Sequence, residues 1–322
     1  IQRDKMIVVK SKTKESAFKA LFAAMAGLCI ISVVAIFVFL IIESLPAFNK
    51  IGFFKFVFGS EWNPSSDDKY VLPLSGSYGV LKMIVGSILA TFGAVLFGGA
   101  TGVFTAVFIS RFCPKRIKKL FSAIIDLLAG IPSVIYGFFG MNVLLLKLGY
   151  FSSNGSGSGL LAVSLVLGLM ILPTVVSLSR TSIDAVPDSY YEGALSLGSS
   201  HEKAVFRVVV PAAKSGIVAS IILGVGRAVG ETMAVIMVAG NKVNYPNGLF
   251  KSFRVLTANI VMEMSYAGEV QLGALIATGV VLLIFILIIN LLLGLITERK
   301  GKKTGGKKRE IGFLSSFNHL IR

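Results

Sequence analysis

The sequence predicts an all-α integral membrane protein, and three features of the chain lead to that prediction. Of the 322 residues, 54% are hydrophobic and only 15% are charged, and the mean hydropathy is +0.81. An ordinary soluble domain is about 25% charged. The apolar residues form six long blocks, each close to the ~20 residues that a helix needs to cross a bilayer. Lysine and arginine residues concentrate in alternate segments between these blocks.

Length and composition justify each of the six blocks as a transmembrane helix. The first block contains no charged residue. The third contains Asp126 and is interrupted by Pro132 and Ser133, which predict a break in the helix. The fifth is the block that carries Arg227 and Glu231. The expected spans are residues 21–42, 83–109, 120–146, 160–178, 215–240 and 270–297.

The distribution of positive charge predicts how the helices are oriented. Twenty-three of the 32 Lys and Arg residues lie in the two terminal segments and in the segments after the second and fourth spans, whereas eight lie in the other segments. The positive-inside rule therefore places both termini in the cytoplasm. We expect a basic cytoplasmic N-terminus at 1–20, an extracytoplasmic segment at 43–82 and a basic cytoplasmic tail at 298–322. The net charge of +16 reflects this orientation rather than nucleic-acid binding.

Signatures of several other protein classes are incomplete. Two isolated histidines and two cysteines without companions provide no metal-binding or catalytic arrangement. Residues 301–308 (GKKTGGKK) nearly match a P-loop, but Lys308 stands where the Mg²⁺-binding hydroxyl belongs, so we do not expect this chain to hydrolyse ATP. The basic first 19 residues lack a cleavage site, so no secretory signal peptide is expected.

Three further segments have compositions that predict local behaviour. Residues 154–159 (NGSGSG) are typical of a flexible linker. The basic stretch 299–309 favours contact with anionic lipid, with a solvated tail as the alternative. The last residues, 311–322, are compatible with a weak interfacial helix.

The charges inside the fifth span are the strongest functional signal. A charge at the centre of a bilayer costs about 2.5–3.5 kcal/mol on insertion scales. Arg227 lies 15 residues after the expected cytoplasmic entry at Ala212, which is about 22 Å along a helix and therefore near the midplane. We expect Glu231 to lie one turn further outward on the same face. The pair indicates passage of a charged solute, and a structural salt bridge between helices is the alternative.

Small residues at helical spacing predict close contacts between helices. Gly98 and Gly102 form one GxxxG pair, and Gly226 and Gly230 form a second. Glycines at this spacing allow two helix backbones to approach each other closely.

The cytoplasmic segment 180–214 reads as helix, break and helix. Gly198 is expected to end the first helix, and Ser199 with Glu202 to form a capping box that opens the second. Pro211 is expected to begin the next membrane segment. Such a pair of short helices is suited to docking on a partner, and an ordinary connecting loop is the alternative.

This segment resembles the EAA loop of ABC-importer permeases, whose pattern is E-A-A, three residues, G, nine residues and I-x-L-P. Here Glu192-Gly-Ala194 is followed by Gly198 and by Val208-x-Val210-Pro211 at the same spacing. The second position is Gly193 instead of alanine, and valines replace the isoleucine and leucine. The resemblance implies docking on a separate ATPase through Tyr191, Glu192, Gly193, Ala194, Leu197, Gly198 and Ser199.

Further stretches resemble PstC-type permease subunits of bacterial phosphate importers. They are 129–140 (AGIPSVIYGFFG), 226–234 (GRAVGETMA) and an outer segment that runs from Trp62 to Leu72-Pro73. The resemblance covers about 44–297. It implies a type I, MetI-like permease core at 83–297, with substrate-pathway residues Arg227, Glu231 and Thr232 and with helix-break and packing residues Pro132, Ser133, Gly226 and Gly230.

The function implied by this resemblance is ATP-driven import of inorganic phosphate across the bacterial inner membrane. The implied partners are a PstA-like second permease subunit, two copies of a PstB-like ATPase and a PstS-like extracytoplasmic phosphate-binding protein. ATP and Mg²⁺ would bind to the ATPase, and this chain is expected to bind no cofactor or metal. An importer of molybdate, sulfate or phosphonate is the alternative within the class. A stand-alone channel or ion-driven carrier and a membrane-anchored regulatory or scaffold protein are alternatives outside it.

Overall fold

The computed structural model describes residues 2–64, 76–152 and 155–301. Several predictions concern residues outside these ranges. They are the Leu72-Pro73 part of the outer segment, the first residue of the 154–159 linker, most of the P-loop-like stretch 301–308, and the tail with its interfacial helix at 311–322.

Helices account for nearly all of the regular structure in the described residues, as expected from the long apolar blocks. A two-stranded antiparallel hairpin, β1 (Trp62–Asn63) and β2 (Ser77–Tyr78), is the exception there. The helices are α1 (Gln2–Ile51), α2 (Phe53–Phe58), α3 (Leu81–Phe112), α4 (Lys115–Ala129), α5 (Ser133–Gly149), α6 (Leu160–Asp184), α7 (Asp188–Ser196), α8 (His201–Ala212), α9 (Lys214–Gly230), α10 (Met233–Val238), α11 (Leu256–Glu263) and α12 (Glu269–Gly301).

The predicted all-α membrane fold is confirmed. Four helical stretches in the described residues are long and apolar enough to cross a membrane, namely Phe18–Ile51 within α1, α3, α6 and Glu269–Leu292 within α12. Two bent pairs raise the number to six if each pair is one span. These pairs are α4 with α5, bent by 93°, and α8 with α9, bent by 67°. The first bend falls at Pro132, where the sequence predicts a break.

The chain divides into two compact units, of which the first combines 1–81 with 260–281. In this unit α1 packs along the start of α12, where a Cβ added to Gly273 would lie 3.3 Å from Cβ of Ala47. The hairpin is fastened by Trp62, whose Nε1 donates a hydrogen bond to Oε2 of the buried Glu263 at 2.8 Å. The unit therefore ties the outer segment to a buried carboxylate.

The second unit comprises 82–259 and 282–322 and contains the functional site. Its central helix is α6, which is mostly buried because its neighbours α3 and α9 pack against it. Gly98 and Gly168 let α3 and α6 meet at backbone distance, since a Cβ added to Gly98 would lie 2.7 Å from Cα of Gly168. The close contact predicted for the Gly98–Gly102 pair is therefore confirmed.

Candidate functional site

The fifth span is broken beside its charged residues. Helix α9 ends at Gly230, Glu231 is extended with φ −73° and ψ 131°, and α10 starts at Met233. The prediction that Glu231 lies one turn beyond Arg227 on a continuous helix is wrong. The polar Gly-Glu-Thr sequence interrupts the helical backbone, and Glu231 caps the next helix instead.

Hydrogen bonds satisfy the backbone at this break. The Oε1 atom of Glu231 accepts a hydrogen bond from the backbone N–H of Ala234 at 3.1 Å. The carbonyl oxygen of Glu231 accepts one from Oγ1 of Thr257 at 3.0 Å. The half-buried Thr232 forms only a long contact, 3.4 Å from its Oγ1 to the carbonyl of Gly230. Non-helical backbone at membrane depth is tolerated where protein covers it or where it lines a water-filled cavity.

Arg227 projects from the last turn of α9 and is exposed in this chain. Its Nη1 donates a hydrogen bond to Oγ1 of Thr174 on α6 at 3.2 Å. Among the described residues no ion pair joins Arg227 to Glu231, so the structural salt bridge that was the alternative interpretation of this pair is not formed. An exposed guanidinium facing lipid near mid-membrane would be costly. The Arg227 side of α9 therefore faces water or another protein surface rather than lipid.

The interior of the second unit is closed next to the break. Glu231 lines a cavity of about 10 Å³ together with Ser87 and Thr91 of α3. A cavity of this volume holds at most about one water molecule. The cavity beside Glu231 is therefore too small to hold a hydrated anion.

The helix that follows the predicted break in the third span packs against the helix that follows the break in the fifth. Pro132 directly precedes α5, and Ser133 is the first residue of that helix. The hydroxyl of Tyr136 donates to the carbonyl of Leu128 at 2.9 Å and so bridges the bend. Helix α5 packs on α10 so closely that a Cβ added to Gly137 would lie 2.8 Å from Cα of Ala234. The two interrupted helices thus brace each other.

The second predicted glycine pair does not pack within this chain. A Cβ added to Gly226 or to Gly230 would meet no atom within 4 Å. Both glycines lie in α9 close to the exposed Arg227. The helix contact expected from their spacing is therefore absent from the described part of this chain.

The cytoplasmic segment has the predicted helix-break-helix form, with two differences. Gly198 has φ +81° and follows α7, as expected for a left-handed helix end. Ser200, not Ser199, caps α8, since its Oγ accepts from the backbone N–H of Lys203. The helix that begins there continues through Pro211, and the bend into α9 lies at Ala213 instead.

Most of the residues predicted to couple to an ATPase lie on the surface of this segment. Glu192, Gly193 and Gly198 are exposed, whereas Tyr191, Ala194 and Ser199 are partly covered. The side chains of Tyr190, Leu195 and Leu197 are exposed here, and Leu197 is the most exposed of the three at 89%. Beside it, hydrogen bonds from the backbone of Glu202, and then from Ser200, lower the pKa of the Glu202 carboxyl. The segment therefore presents several apolar side chains among small and charged residues.

Sequence reasoning missed the role of His201 in this segment. Its Nδ1 lies 2.7 Å from the hydroxyl oxygen of Tyr191, and its ring centroid lies 4.7 Å from that of Phe112 at the end of α3. His201 therefore fixes the angle between α7 and α8 and joins both helices to α3. A histidine ten residues from an aromatic residue carries no recognisable motif, so the sequence offered no signal.

A set of ion pairs also anchors the segment, and sequence reasoning missed it too. Arg111 Nη1 lies 3.1 Å from Oδ1 of Asp188 at the start of α7. Asp184, at the end of α6, lies 3.4 Å from Arg180 Nε and 3.8 Å from Lys118 Nζ. Asp126, Arg180 and Asp184 line a neighbouring cavity of about 330 Å³. These contacts connect α7 to the cytoplasmic ends of α3, α4 and α6.

The fold and this site together define a class, a multi-pass membrane protein with two interrupted membrane helices and a helix-break-helix segment before the second of them. Comparison with known families agrees. Residues 98–302 match the model of the family described as binding-protein-dependent transport system inner membrane component. The chain belongs to this family.

Two individual relatives show which members of this family the chain is similar to. The chain is 33% identical over 313 residues to the phosphate transport system permease protein PstC of Haemophilus influenzae, covering 91% of this chain and 96% of the relative. It is 35% identical over 286 residues to the probable ABC transporter permease protein YqgH of Bacillus subtilis, covering 88% and 90%.

Solved structures share the fold at low identity. A bacterial alginate ABC transporter in complex with a periplasmic protein bound to alginate pentasaccharide matches with a TM-score of 0.60 at 16% identity, covering 87% of this chain and 94% of that chain. An inward-facing MetNI methionine ABC transporter matches with a TM-score of 0.55 at 18% identity, covering 68% and 95%. The MetI-like permease fold expected from the EAA resemblance is confirmed.

Proposed function

We propose that this chain is a permease subunit of an ATP-driven importer of inorganic phosphate and that it forms one half of the translocation pathway. Support comes from the PstC relatives, which match along most of the chain. The observation that carries the proposal is the exposed Arg227 guanidinium next to an interrupted membrane helix. A guanidinium offers two parallel N–H donors to an oxyanion and can replace part of its hydration shell.

Arg227 and Glu231 take different roles in this proposal. Arg227 contacts the anion, and between translocation events its Nη1 is held by Thr174. Glu231 maintains the break through its bond to the Ala234 amide and so sets the direction in which α9 presents Arg227. The hydroxyl of Thr232 lies at the same break and provides a further donor. A gate made by an Arg227–Glu231 ion pair has no support from the observed hydrogen bonds.

A second permease subunit covers the exposed surface in this account. In the described part of this chain, a Cβ added to Gly226 or Gly230 of α9 would meet no atom within 4 Å, and the exposed Arg227 is hydrogen-bonded to Thr174. A PstA-like subunit placed there would enclose the pathway and shield the guanidinium from lipid. Small residues at this spacing are suited to close helix contact.

Energy reaches the pathway through segment 180–214. An ATPase of the PstB type would bind the exposed surface around Leu197 and Gly198. Its movement would pass from α7 through Arg111 and Asp188, and through Tyr191 and His201, to the helices that carry the site. A PstS-like binding protein would deliver phosphate to the opposite side.

Uptake by the complete transporter in vesicles tests this function. The chain would be reconstituted with its neighbouring permease, ATPase and binding-protein genes, and uptake of radiolabelled phosphate would be measured with and without ATP. We expect ATP-dependent uptake that excess unlabelled phosphate suppresses and that sulfate or molybdate leaves unchanged. Uptake without ATP would contradict the importer class, and preferential uptake of sulfate or molybdate would contradict the substrate.

A further inference from the structure

A second cationic site lies on the side of the second unit that is expected to be extracytoplasmic. It is a cavity of about 820 Å³, which is within the range of about 300–1,000 Å³ typical of ligand pockets. Among the residues that the structure describes, three lysines line it and no carboxylate does. Its charged and hydroxyl-bearing lining includes Lys82, Lys242, Lys251, Ser156, Ser158 and Ser252. We call this cavity the outer pocket.

The sequence around the outer pocket contains no negative charge that would neutralise the lysines. Residues 156–158 and 240–252, which provide most of the described lining, include no Asp or Glu. The ammonium of Lys82 lies 5.7 Å from the centroid of the Tyr245 ring, a cation–π distance that holds it at the wall. Lys242 and Lys251 are exposed at the pocket. A cleft lined by one sign of charge concentrates counter-ions.

Hydroxyl groups form one wall of the outer pocket in a connected chain. The Oγ atoms of Ser156 and Ser158 are 2.7 Å apart, and those of Ser158 and Ser252 are 3.2 Å apart. Gly240, with φ +77°, makes this approach possible, because a Cβ there would lie 2.7 Å from Cβ of Ser252 and 2.9 Å from Oγ of Ser158. The close approach of the backbone at Gly240 therefore brings the hydroxyl groups together.

The outer pocket and the Arg227 site are joined by one short helix. Gly240 follows α10, and Glu231 precedes it. The six residues of α10 span only about 9 Å. An anion held at the outer pocket would therefore be one short helix away from the interrupted segment that presents Arg227.

We propose that the outer pocket is a capture site for inorganic phosphate in its hydrated form, occupied before the ion reaches Arg227. This proposal rests on the proposed function. Lysine ammonium groups act as point charges without the fixed fork of arginine, so the site selects by charge and binds weakly. The wall favours a small anion over a docked protein, because lysine is depleted at protein interfaces, where aromatic and arginine anchors dominate.

Lysine labelling on the assembled transporter tests the proposal. The complex in nanodiscs, without binding protein, would be treated with a membrane-impermeant amine-reactive ester, and the labelling rate of each lysine would be read by mass spectrometry. Inorganic phosphate would be compared with potassium chloride at equal ionic strength. Lys147 is exposed on the same side and lies outside the outer pocket, so it serves as the internal control.

At a phosphate concentration equal to or above Kd, at least half of the sites are filled. Phosphate should then slow the labelling of Lys82, Lys242 and Lys251 at least about twofold. Labelling of Lys147 should not change. In the double variant K242Q/K251Q the protection of Lys82 should disappear, whereas in K147Q it should persist.

Three results would overturn the proposal. They are equal labelling with and without phosphate, equal protection by chloride, and protection only in a separate sample to which phosphate-free binding protein is added, which would assign the outer pocket to docking of that protein. Phosphate uptake by the same wild-type complex, reconstituted in vesicles with the binding protein, separates this inference from the proposed function. Uptake without protection removes the capture site alone, whereas absence of uptake removes phosphate import itself.

Discussion

The contact between α3 and α6 at Gly98 provides a quantitative test of the fold that carries the site. In Gly98→Ala the new Cβ would lie 2.7 Å from Cα of Gly168, with the Gly168 carbonyl oxygen nearer still. An ordinary contact is at least 3.4 Å, so the two helices must move apart by roughly 1 Å. The opposing atoms are backbone, so no rotamer change relieves the clash. Overpacking of this kind costs about 1–3 kcal/mol.

Stability of the purified transporter in detergent, titrated with SDS, would measure this loss. The matched control is Gly27→Ala, which makes the same change in another membrane helix, at a position where an added Cβ meets nothing within 4 Å. We expect Gly98→Ala to lower the free energy of unfolding of this chain by about 1–3 kcal/mol and Gly27→Ala to leave it unchanged or slightly higher. Equal stability of the two variants would refute the backbone contact between α3 and α6.

Two other substitutions test the docking segment and the outer hairpin. Gly198→Val places a β-branched residue at φ +81°, a conformation that costs an L-residue about 1–2 kcal/mol, so we expect the ATPase to co-purify poorly with this variant. The control Gly193→Ala lies in a helix with open space around it and should retain the ATPase. Normal ATPase stoichiometry together with normal uptake in Gly198→Val would refute the docking role. Trp62→Phe removes a hydrogen bond to the buried Glu263 carboxylate. We expect the midpoint of SDS-induced unfolding to fall by the equivalent of about 1.5–3 kcal/mol. An unchanged midpoint would show that this hydrogen bond contributes nothing to stability.

The sequence predicted the helices well because membrane spans leave a simple signal. Six apolar blocks predicted six spans, and the described residues contain four helices long and apolar enough to cross a membrane, or six if each bent pair is one span. Pro132 predicted its bend because proline cannot continue the hydrogen-bond pattern of a helix. The EAA spacing predicted the helix-break-helix segment, and Gly198 lies where a left-handed residue is needed.

The break at Glu231 was missed because the fifth span reads as one apolar run. Nothing in that run breaks a helix as strongly as proline. In retrospect the sequence Gly230-Glu-Thr232 has the composition of a helix end followed by a cap. The contacts that replace the lost helical bonds come from Thr257, 26 residues away, and such long-range partners leave no periodic pattern.

The cytoplasmic anchors were missed for the same physical reason. Arg111 and Asp188 are 77 residues apart, and Ser110 and Asp184 are 74 apart. In the sequence Arg111 reads as part of the positive-inside bias, and no pattern pairs it with Asp188. Only the packing of α3 against α6 brings them together, and that packing depends on backbone contacts between glycines.

Phosphate uptake by Arg227→Ala tests the central claim most directly. The matched control is Leu223→Ala, four residues earlier on the same face of α9 and also exposed. Loss of charge-assisted hydrogen bonds worth about 1.5–3 kcal/mol predicts that ATP-dependent uptake falls about 10- to 100-fold in Arg227→Ala. Complex assembly should be preserved, and Leu223→Ala should transport normally. Wild-type uptake by an assembled Arg227→Ala transporter would contradict the claim that this guanidinium carries the anion through the membrane.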